Sequence, residues 1–203
     1  MKIICIGRNY EEHARELNNP VPEEPVFFMK PETSLVLKNR PFFYPDFTTD
    51  LHHEVEIVLK VSRVGKHIET RFANRYYDEI GLGIDFTARD VQAKAKAKGL
   101  PWEKAKAFDG SAPLSKFVPK NTFTEMNDID FHLEINGETV QKGNTRDMIF
   151  SFDEIIAHVS RYVTLKIGDL IYTGTPSGVG PVQKDDRLTG FLGEQKMFSF
   201  LVK

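Results

Sequence analysis

The sequence predicts an α+β fold rich in strands, with a mostly antiparallel or mixed sheet, and three observations carry the prediction. Short runs of apolar or alternating residues outnumber segments of helical period, and strands and helices do not alternate in a regular βαβ order. In addition, Asn136-Gly137 between the runs 131–135 and 138–141 is the strongest short signal for a type I′ hairpin. Taken in chain order, residues 2–6 form a short apolar strand that turns at Gly7. The charged segment 11–17 has room for two helical turns before Asn18, Asn19 and Pro20 stop it. Residues 53–61 alternate, with Val55, Ile57, Leu59 and Val61 on the face expected to meet the core and Glu54, Glu56, Val58 and Lys60 on the other. A strand is expected at 79–86, then a helix from Ala88 to Lys98 that Gly99 ends. Ser151 and Glu154 fit a capping box, and Ile155, Ile156, Val159, Tyr162 and Val163 continue with helical spacing to about Thr164. Residues 169–173 and 196–202 read as strands, with a Gly- and Pro-containing loop at 174–181.

The 203 residues are 40% hydrophobic and 28% charged, enough for one well-buried core, and no repeat or long linker divides them. Residues 1–203 are therefore expected to form a single domain. Lys and Arg total 27 against 29 Asp and Glu, so the net charge of −2 provides no field to hold a polyanion and nucleic acid is not expected as a partner. No apolar stretch is long enough for a signal-peptide core or a membrane span. Cys5 is the single cysteine, which excludes an intrachain disulfide and any multi-cysteine metal site. A reducing cytoplasm is the expected location, although a processed organellar protein would look the same.

Several familiar motifs fail. The loop Gly174-Thr-Pro-Ser-Gly-Val-Gly180 lacks the Lys and Ser/Thr of a phosphate-cradling loop, and Gly81-Leu-Gly83 lacks the third glycine of a dinucleotide fingerprint. Ser177 is not in a nucleophile elbow, and His52-His53-Glu54 has no second His four residues on. Cys5 falls in an apolar strand, where a thiol is ordinary packing.

Glu54 and Glu56 fare better. Two residues apart on one strand face, their carboxylates point the same way, roughly 7 Å apart at the backbone. They are either two solvated surface glutamates or, with a third acid, a hard oxygen site for Mg²⁺ or Mn²⁺. Asp85 is the candidate third acid, at the end of an otherwise apolar strand, while Asp90 suits the first turn of the following helix. His13 and Glu16, three apart, meet on one helical face, where the carboxylate can orient the imidazole; an accidental surface pair would look the same. Lys94, Lys96 and Lys98 do not share one helical face and are expected to form a solvated surface.

Ordered blocks run nearly end to end: Gly7-Arg-Asn-Tyr-Glu-Glu-His13, Phe28-Met-Lys30-Pro31, His52-His-Glu54-Val-Glu56, Asp85-Phe-Thr-Ala-Arg-Asp-Val-Gln92, Lys106-Ala-Phe-Asp109, Asn136-Gly-Glu138 through Gln141, Met148-Ile-Phe150, and Gly168-Asp169 on to Thr173-Gly-Thr-Pro-Ser-Gly-Val-Gly180. In these blocks the chain resembles the fumarylacetoacetate hydrolase family, in particular its short, single-domain acylpyruvase and oxaloacetate decarboxylase branch. The resemblance implies a mixed β-sandwich or roll of the C-terminal type of that family, with the site at one open end. It places the metal ligands on Glu54, Glu56 and Asp85, for Mg²⁺ with Mn²⁺ as a substitute. It makes Lys106 the cation beside a pyruvate enolate, Gln92 a substrate hydrogen-bond donor, and Thr175 part of the loop around the ligand. His13 and Glu16 become a water-activating dyad on a short lid within residues 1–20. Arg8 and Lys30 are further cations near the site, each able to hold a substrate carboxylate or to pair with an acid. One departure is Ile84, where many relatives carry Asn before the ligand Asp.

The expected activity is Mg²⁺-dependent hydrolysis of 3-acylpyruvates, with oxaloacetate decarboxylation as a second reaction and a small 2-oxoacid as the partner. The alternatives are a metal-dependent isomerase or tautomerase of 2-oxoacids and a non-catalytic 2-oxoacid-binding protein. The resemblance also implies a homodimer.

Overall fold

A computed structural model describes residues 1–16 and 20–203, and most of its strands gather into two sheets. The larger runs Val26–Lys30, Ile3–Gly7, Leu170–Tyr172, Val55–Val61, Tyr77–Ile84, Val118–Pro119. Only the pairing of Ile3–Gly7 with Leu170–Tyr172 is parallel, so the sheet is mixed, and Pro119 sits on the edge strand where a missing donor is tolerated. The smaller sheet is antiparallel in the order Glu138–Asn144, Asp130–Ile135, Arg187–Leu192, Gln195–Leu201. Its first turn has Asn136 at φ 54° and Gly137 at φ 90°, the two positive values a type I′ hairpin requires.

The sheets pack face to face. Ile57, Leu59, Ile80 and Leu82 from one share a core with Leu133, Leu188, Phe198 and Phe200 from the other. The approach is close at Gly190, where a Cβ would lie 2.8 Å from Leu82 Cδ2. The opposite face of the larger sheet is covered too: Ile3, Cys5, Val58, Leu170 and Tyr172 pack with Ala112 and Leu114. The sequence placed Glu54, Glu56 and Val58 on a face away from the core, yet all three are buried. A central strand of a mixed sheet has two covered faces, and here distant residues supply the second cover.

The helix Arg89–Ala97 lies within one residue of its expected bounds at each end, with Gly99 at φ 60° beyond it. Phe152–Tyr162 has the reciprocal capping box, Ser151 Oγ accepting from the Glu154 amide and Glu154 Oε2 accepting from the Ser151 amide, and buries Ile155, Ile156 and Val159. The first helix is Glu11–Glu16; its expected stop at Asn18 and Asn19 lies outside the described residues. Among the described residues no helix is long and apolar enough to cross a membrane.

Candidate active site

Antiparallel pairing assembles the acidic cluster. Val55 faces Ile84 and Glu56 faces Gly83 across adjacent strands, and the Asp85 amide donates to the Glu54 carbonyl at 2.8 Å, so Asp85 emerges beside Glu54. One carboxylate oxygen from each of Glu54, Glu56 and Asp85 lies within 4.8 Å of the others, and all three residues are buried. Such a concentration of charge needs cations. Lys106, carried on the short helix Glu103–Lys106, donates to Glu54 Oε2 and Asp85 Oδ2, both at 2.8 Å. Arg89 Nη2 donates to Glu54 Oε1 at 2.5 Å. Lys30 Nζ stands 2.7 Å from Asp85 Oδ1 without hydrogen-bond geometry, its hydrogen bonds going to the carbonyls of Ser111 (2.8 Å) and Phe86 (3.2 Å).

These partners divide the carboxylates. Burial works to raise the Glu54 carboxyl, but Lys106 and Arg89 outweigh it and hold the group well below the usual range. Burial also opposes charge on Lys106, and Asp85 and Glu54 overcome it, keeping the ammonium above its ordinary value. Glu56 is different: burial, then Asp85 and Glu54, push its carboxyl well above the usual carboxylate range, with the Gly174 amide at 2.8 Å as a weaker counterweight. Asp85 Oδ1 is a buried acceptor with no hydrogen bond among the described residues. Three convergent hard oxygens, one of them on a carboxylate short of positive charge, fit a divalent cation held by Glu54, Glu56 and Asp85.

The opposite wall comes from the N-terminal segment. Asn9 is fully buried and ties it down, its Nδ2 donating to the carbonyls of Thr173 (2.8 Å) and Phe150 (3.0 Å) while its Oδ1 accepts from the Phe150 amide (2.7 Å). Gly174, at φ 104°, permits this, since a Cβ there would meet Asn9 Cβ at 2.6 Å. From this anchor the helix Glu11–Glu16 carries His13, whose Nδ1 is 3.1 Å from Glu16 Oε2, while Glu16 Oε1 accepts from the Gly178 amide at 3.1 Å. His13 and the acidic triad border a cavity of about 40 Å³, room for a single water or so.

Residues 2–198 match the fumarylacetoacetate (FAA) hydrolase C-terminal family. The chain belongs to the fumarylacetoacetate hydrolase family. It is 44% identical over 186 residues, 92% of its length and 84% of the relative's, to the mitochondrial oxaloacetate tautomerase FAHD1 of Bos taurus. Identity is also 44% to the mitochondrial oxaloacetate decarboxylase of Dictyostelium discoideum, over 183 residues that cover 90% of this chain and 84% of that one. Among solved structures, a fumarylpyruvate hydrolase from Pseudomonas aeruginosa, in complex with Mn²⁺ and pyruvate, superposes with a TM-score of 0.93 at 34% identity, covering 100% of this chain and 89% of that one.

Within this fumarylacetoacetate hydrolase fold, most residues singled out from sequence meet around one cavity: Glu54, Glu56, Asp85, Lys106, His13, Arg8, Gln92 and Thr175. Two stand behind it. Glu16 backs His13, and Lys30, with no side-chain exposure, backs Asp85. Thr175 Oγ1 is engaged by the scaffold, donating to the Val55 carbonyl at 2.9 Å and accepting from Gln141 Nε2 at 2.7 Å. Gln141 also accepts from the Val55 amide at 3.0 Å and contacts His53 Nδ1 at 3.0 Å, stapling the 174–181 loop to the strand that bears Glu56. Sequence reasoning gave no site role to six other lining residues: Ile6 and Gly7, read only as strand and turn, and Phe28, Arg89, Lys96 and Trp102. Phe28 and Arg89 sit inside family blocks read without a role, and Lys96 is one helical turn from Gln92.

Proposed function

We propose that this chain is a Mg²⁺-dependent enzyme of 2-oxoacids, hydrolysing the C–C bond of 3-acylpyruvates such as acetylpyruvate and fumarylpyruvate and decarboxylating oxaloacetate. The reading rests on one observation: the acidic triad, Lys106 and His13 border the same cavity. When bound, the divalent ion would act as a Lewis acid toward the negative charge that develops on a 2-oxoacid as the bond beyond C3 breaks.

The chain's own groups do the rest. Lys106 keeps a fixed positive charge between Glu54 and Asp85, beside the place where that charge develops. Arg89 Nη1 donates to Gln92 Oε1 at 3.1 Å, and because a guanidinium only donates, the Gln92 amide is turned with its NH₂ available to a substrate oxygen. The same logic fixes His13. An ionised Glu16 only accepts, so Nδ1 carries the proton and Nε2 is the basic atom that takes a proton from water, with Glu16 steadying the resulting imidazolium. Arg8 offers a further cation to a substrate carboxylate. Thr175 holds the loop against the strand, and Lys30 is a positioning residue for Asp85.

A second reading is favoured by the names of relatives from Bos taurus and Escherichia coli, both called oxaloacetate tautomerases. In it a base moves a proton between C3 and the 2-oxo oxygen and no water attacks. A turnover panel of acetylpyruvate, fumarylpyruvate and oxaloacetate, each with Mg²⁺, Mn²⁺ or chelator, decides between the readings. Cleavage of acylpyruvates that His13→Ala abolishes, with keto–enol conversion spared, supports the hydrolase. Keto–enol conversion alone supports the tautomerase, and no turnover of any substrate sinks both.

A homodimer is the proposed assembly, supported by the exposed Leu37, Phe43 and Phe47, with Phe43 68% exposed; a monomer mass in sedimentation would end it. The buried thiol of Cys5 suits the proposed cytoplasmic setting.

A further inference from the structure

The mouth of the pocket carries positive charge that the chain itself does not answer. Two of the triad's carboxylates, Glu54 and Asp85, already take up three cations, Lys106, Lys30 and Arg89. Two more cations, Arg8 and Lys96, line the same cavity, and among the described residues neither has a carboxylate within ion-pair distance. Leu17, Asn18 and Asn19, which lie outside those residues, bring no negative charge either.

The placement of Lys96 follows from helical spacing. Arg89, Gln92 and Lys96 are three and four residues apart, so they share one face of the helix Arg89–Ala97 and form a ladder leading away from Glu54. Lys96 is its outer rung, about 6 Å along the axis beyond Gln92. Its Nζ is 5.4 Å from the centroid of Trp102, and that ring packs edge-on against Phe28 with centroids 6.3 Å apart. The aromatic pair gives the lysine a supporting wall inside the mouth. Partial burial, then the nearby Arg89, Arg8 and Lys106, hold the Lys96 ammonium below its usual range, against a smaller pull from Glu54. A cation so placed gains most from an anion that arrives with the ligand.

We propose that Lys96, resting on Trp102 and seconded by Arg8, binds a second carboxylate on the substrate, so that the pocket selects 2-oxoacids with a distal carboxylate over acylpyruvates with a neutral distal end. The inference rests on the proposed reading in which the 2-oxoacid head lies at the triad, because that orientation turns the far end of the molecule toward the mouth. A carboxylate there gives Lys96 and Arg8 an anion to share. A neutral acetyl group leaves the exposed Lys96 and the half-buried Arg8 to water alone, so a ligand with a distal carboxylate gains a charge-assisted contact that a neutral one lacks.

The test compares Lys96→Met, Lys96→Arg and, as a control on the same helix, Lys94→Met. The kcat/KM ratio for oxaloacetate over acetylpyruvate is expected to fall about tenfold or more in Lys96→Met, to be largely kept in Lys96→Arg, and to stay at the wild-type value in Lys94→Met. A parallel calorimetric measurement on the Mg²⁺-loaded protein compares pyruvate, which has only the head group, with 2-oxoglutarate, which adds a distal carboxylate. Lys96→Met is expected to erase the preference for 2-oxoglutarate. Unchanged discrimination in Lys96→Met overturns the assignment of Lys96 alone. A wild-type protein that binds neither ligand overturns the 2-oxoacid reading beneath it, and with it this inference.

Discussion

On one side of the pocket Glu54, Glu56 and Asp85 lie at paired strands, and Lys30 and Lys106 reach them from buried positions. On the other side His13 and Glu16 ride on a six-residue helix, far below the length at which a helix is stable alone. That helix is held in place by the buried Ala14, the contact of Glu16 with the Gly178 amide and that of Glu12 with Ser177 Oγ at 3.3 Å. The difference separates two jobs. The strand side holds a dense set of buried charges fixed by strand pairing, whereas the helix side rests on a short helix held by one buried alanine and a few hydrogen bonds. Electrostatics should therefore dominate the consequences of mutation on the first side, and position on the second.

The sharpest test lies within the strand side. Asp85→Asn leaves the buried Lys30 and Lys106 short of an anion and is expected to cost about 3–5 kcal/mol of stability as well as metal binding. Glu56→Gln removes a buried carboxylate whose neighbours are carboxylates and whose hydrogen bond comes from a neutral amide. It should abolish metal binding equally while leaving the thermal midpoint in chelator unchanged or higher. Mn²⁺ titration calorimetry and thermal unfolding of both variants check this. Equal destabilisation by the two substitutions would break the division of charges described here.

Crossing to the helix side, His13→Ala is expected to lower kcat for acylpyruvate hydrolysis by about 10²- to 10⁴-fold, the usual worth of a positioned general base. Mn²⁺ affinity should stay at the wild-type value, because His13 shares the cavity but is not one of the three converging carboxylates. A parallel loss of metal affinity would show that the two sides are not independent.

The two sides also differed in how far they could be read from sequence. Period-two alternation put Glu54 and Glu56 on one face from local pattern alone, and the spacing of His13 and Glu16 held in the same way. Burial of that glutamate face was not legible, because Ala112 and Leu114, which help cover it, are far away in the chain and give no local signal. The parallel pairing of Ile3–Gly7 with Leu170–Tyr172 was hidden for the same reason. Two of the longer strands escaped notice, as did short ones such as Val118–Pro119: Val26–Lys30 is a short apolar run after Pro25 without alternation, and Gly190 interrupts the pattern of Arg187–Leu192. Lys96 was within reach. The expected solvated surface holds, since Lys94, Lys96 and Lys98 are all exposed, but spacing from Arg89 and Gln92 also puts Lys96 on the helix face that borders the site.

The junction between the two sides can be probed at Gly174, whose amide serves Glu56 and whose missing Cβ admits Asn9. Gly174→Ala combines a positive φ with a 2.6 Å clash and is expected to cost about 1–3 kcal/mol. Because Asn9 would be displaced along with the chain that leads to His13, kcat should fall too. A variant with reduced kcat but an unchanged unfolding midpoint would mean that the glycine acts on the chemistry rather than through packing.

The smallest effect is expected at Ser177, and it distinguishes a tether from a participant. Its hydroxyl and the Glu12 carboxylate are both exposed, so water replaces their hydrogen bond at little cost. The Gly178 amide still holds Glu16 when that bond is gone, so the helix keeps its stronger anchor and His13 its orientation. Ser177→Ala should thus change KM by about twofold or less and leave kcat intact, as expected for a net loss under about 0.5 kcal/mol. A drop in kcat near that of His13→Ala would instead place Ser177 among the reacting groups, and the helix side would then contain chemistry that its hydrogen bonds do not reveal.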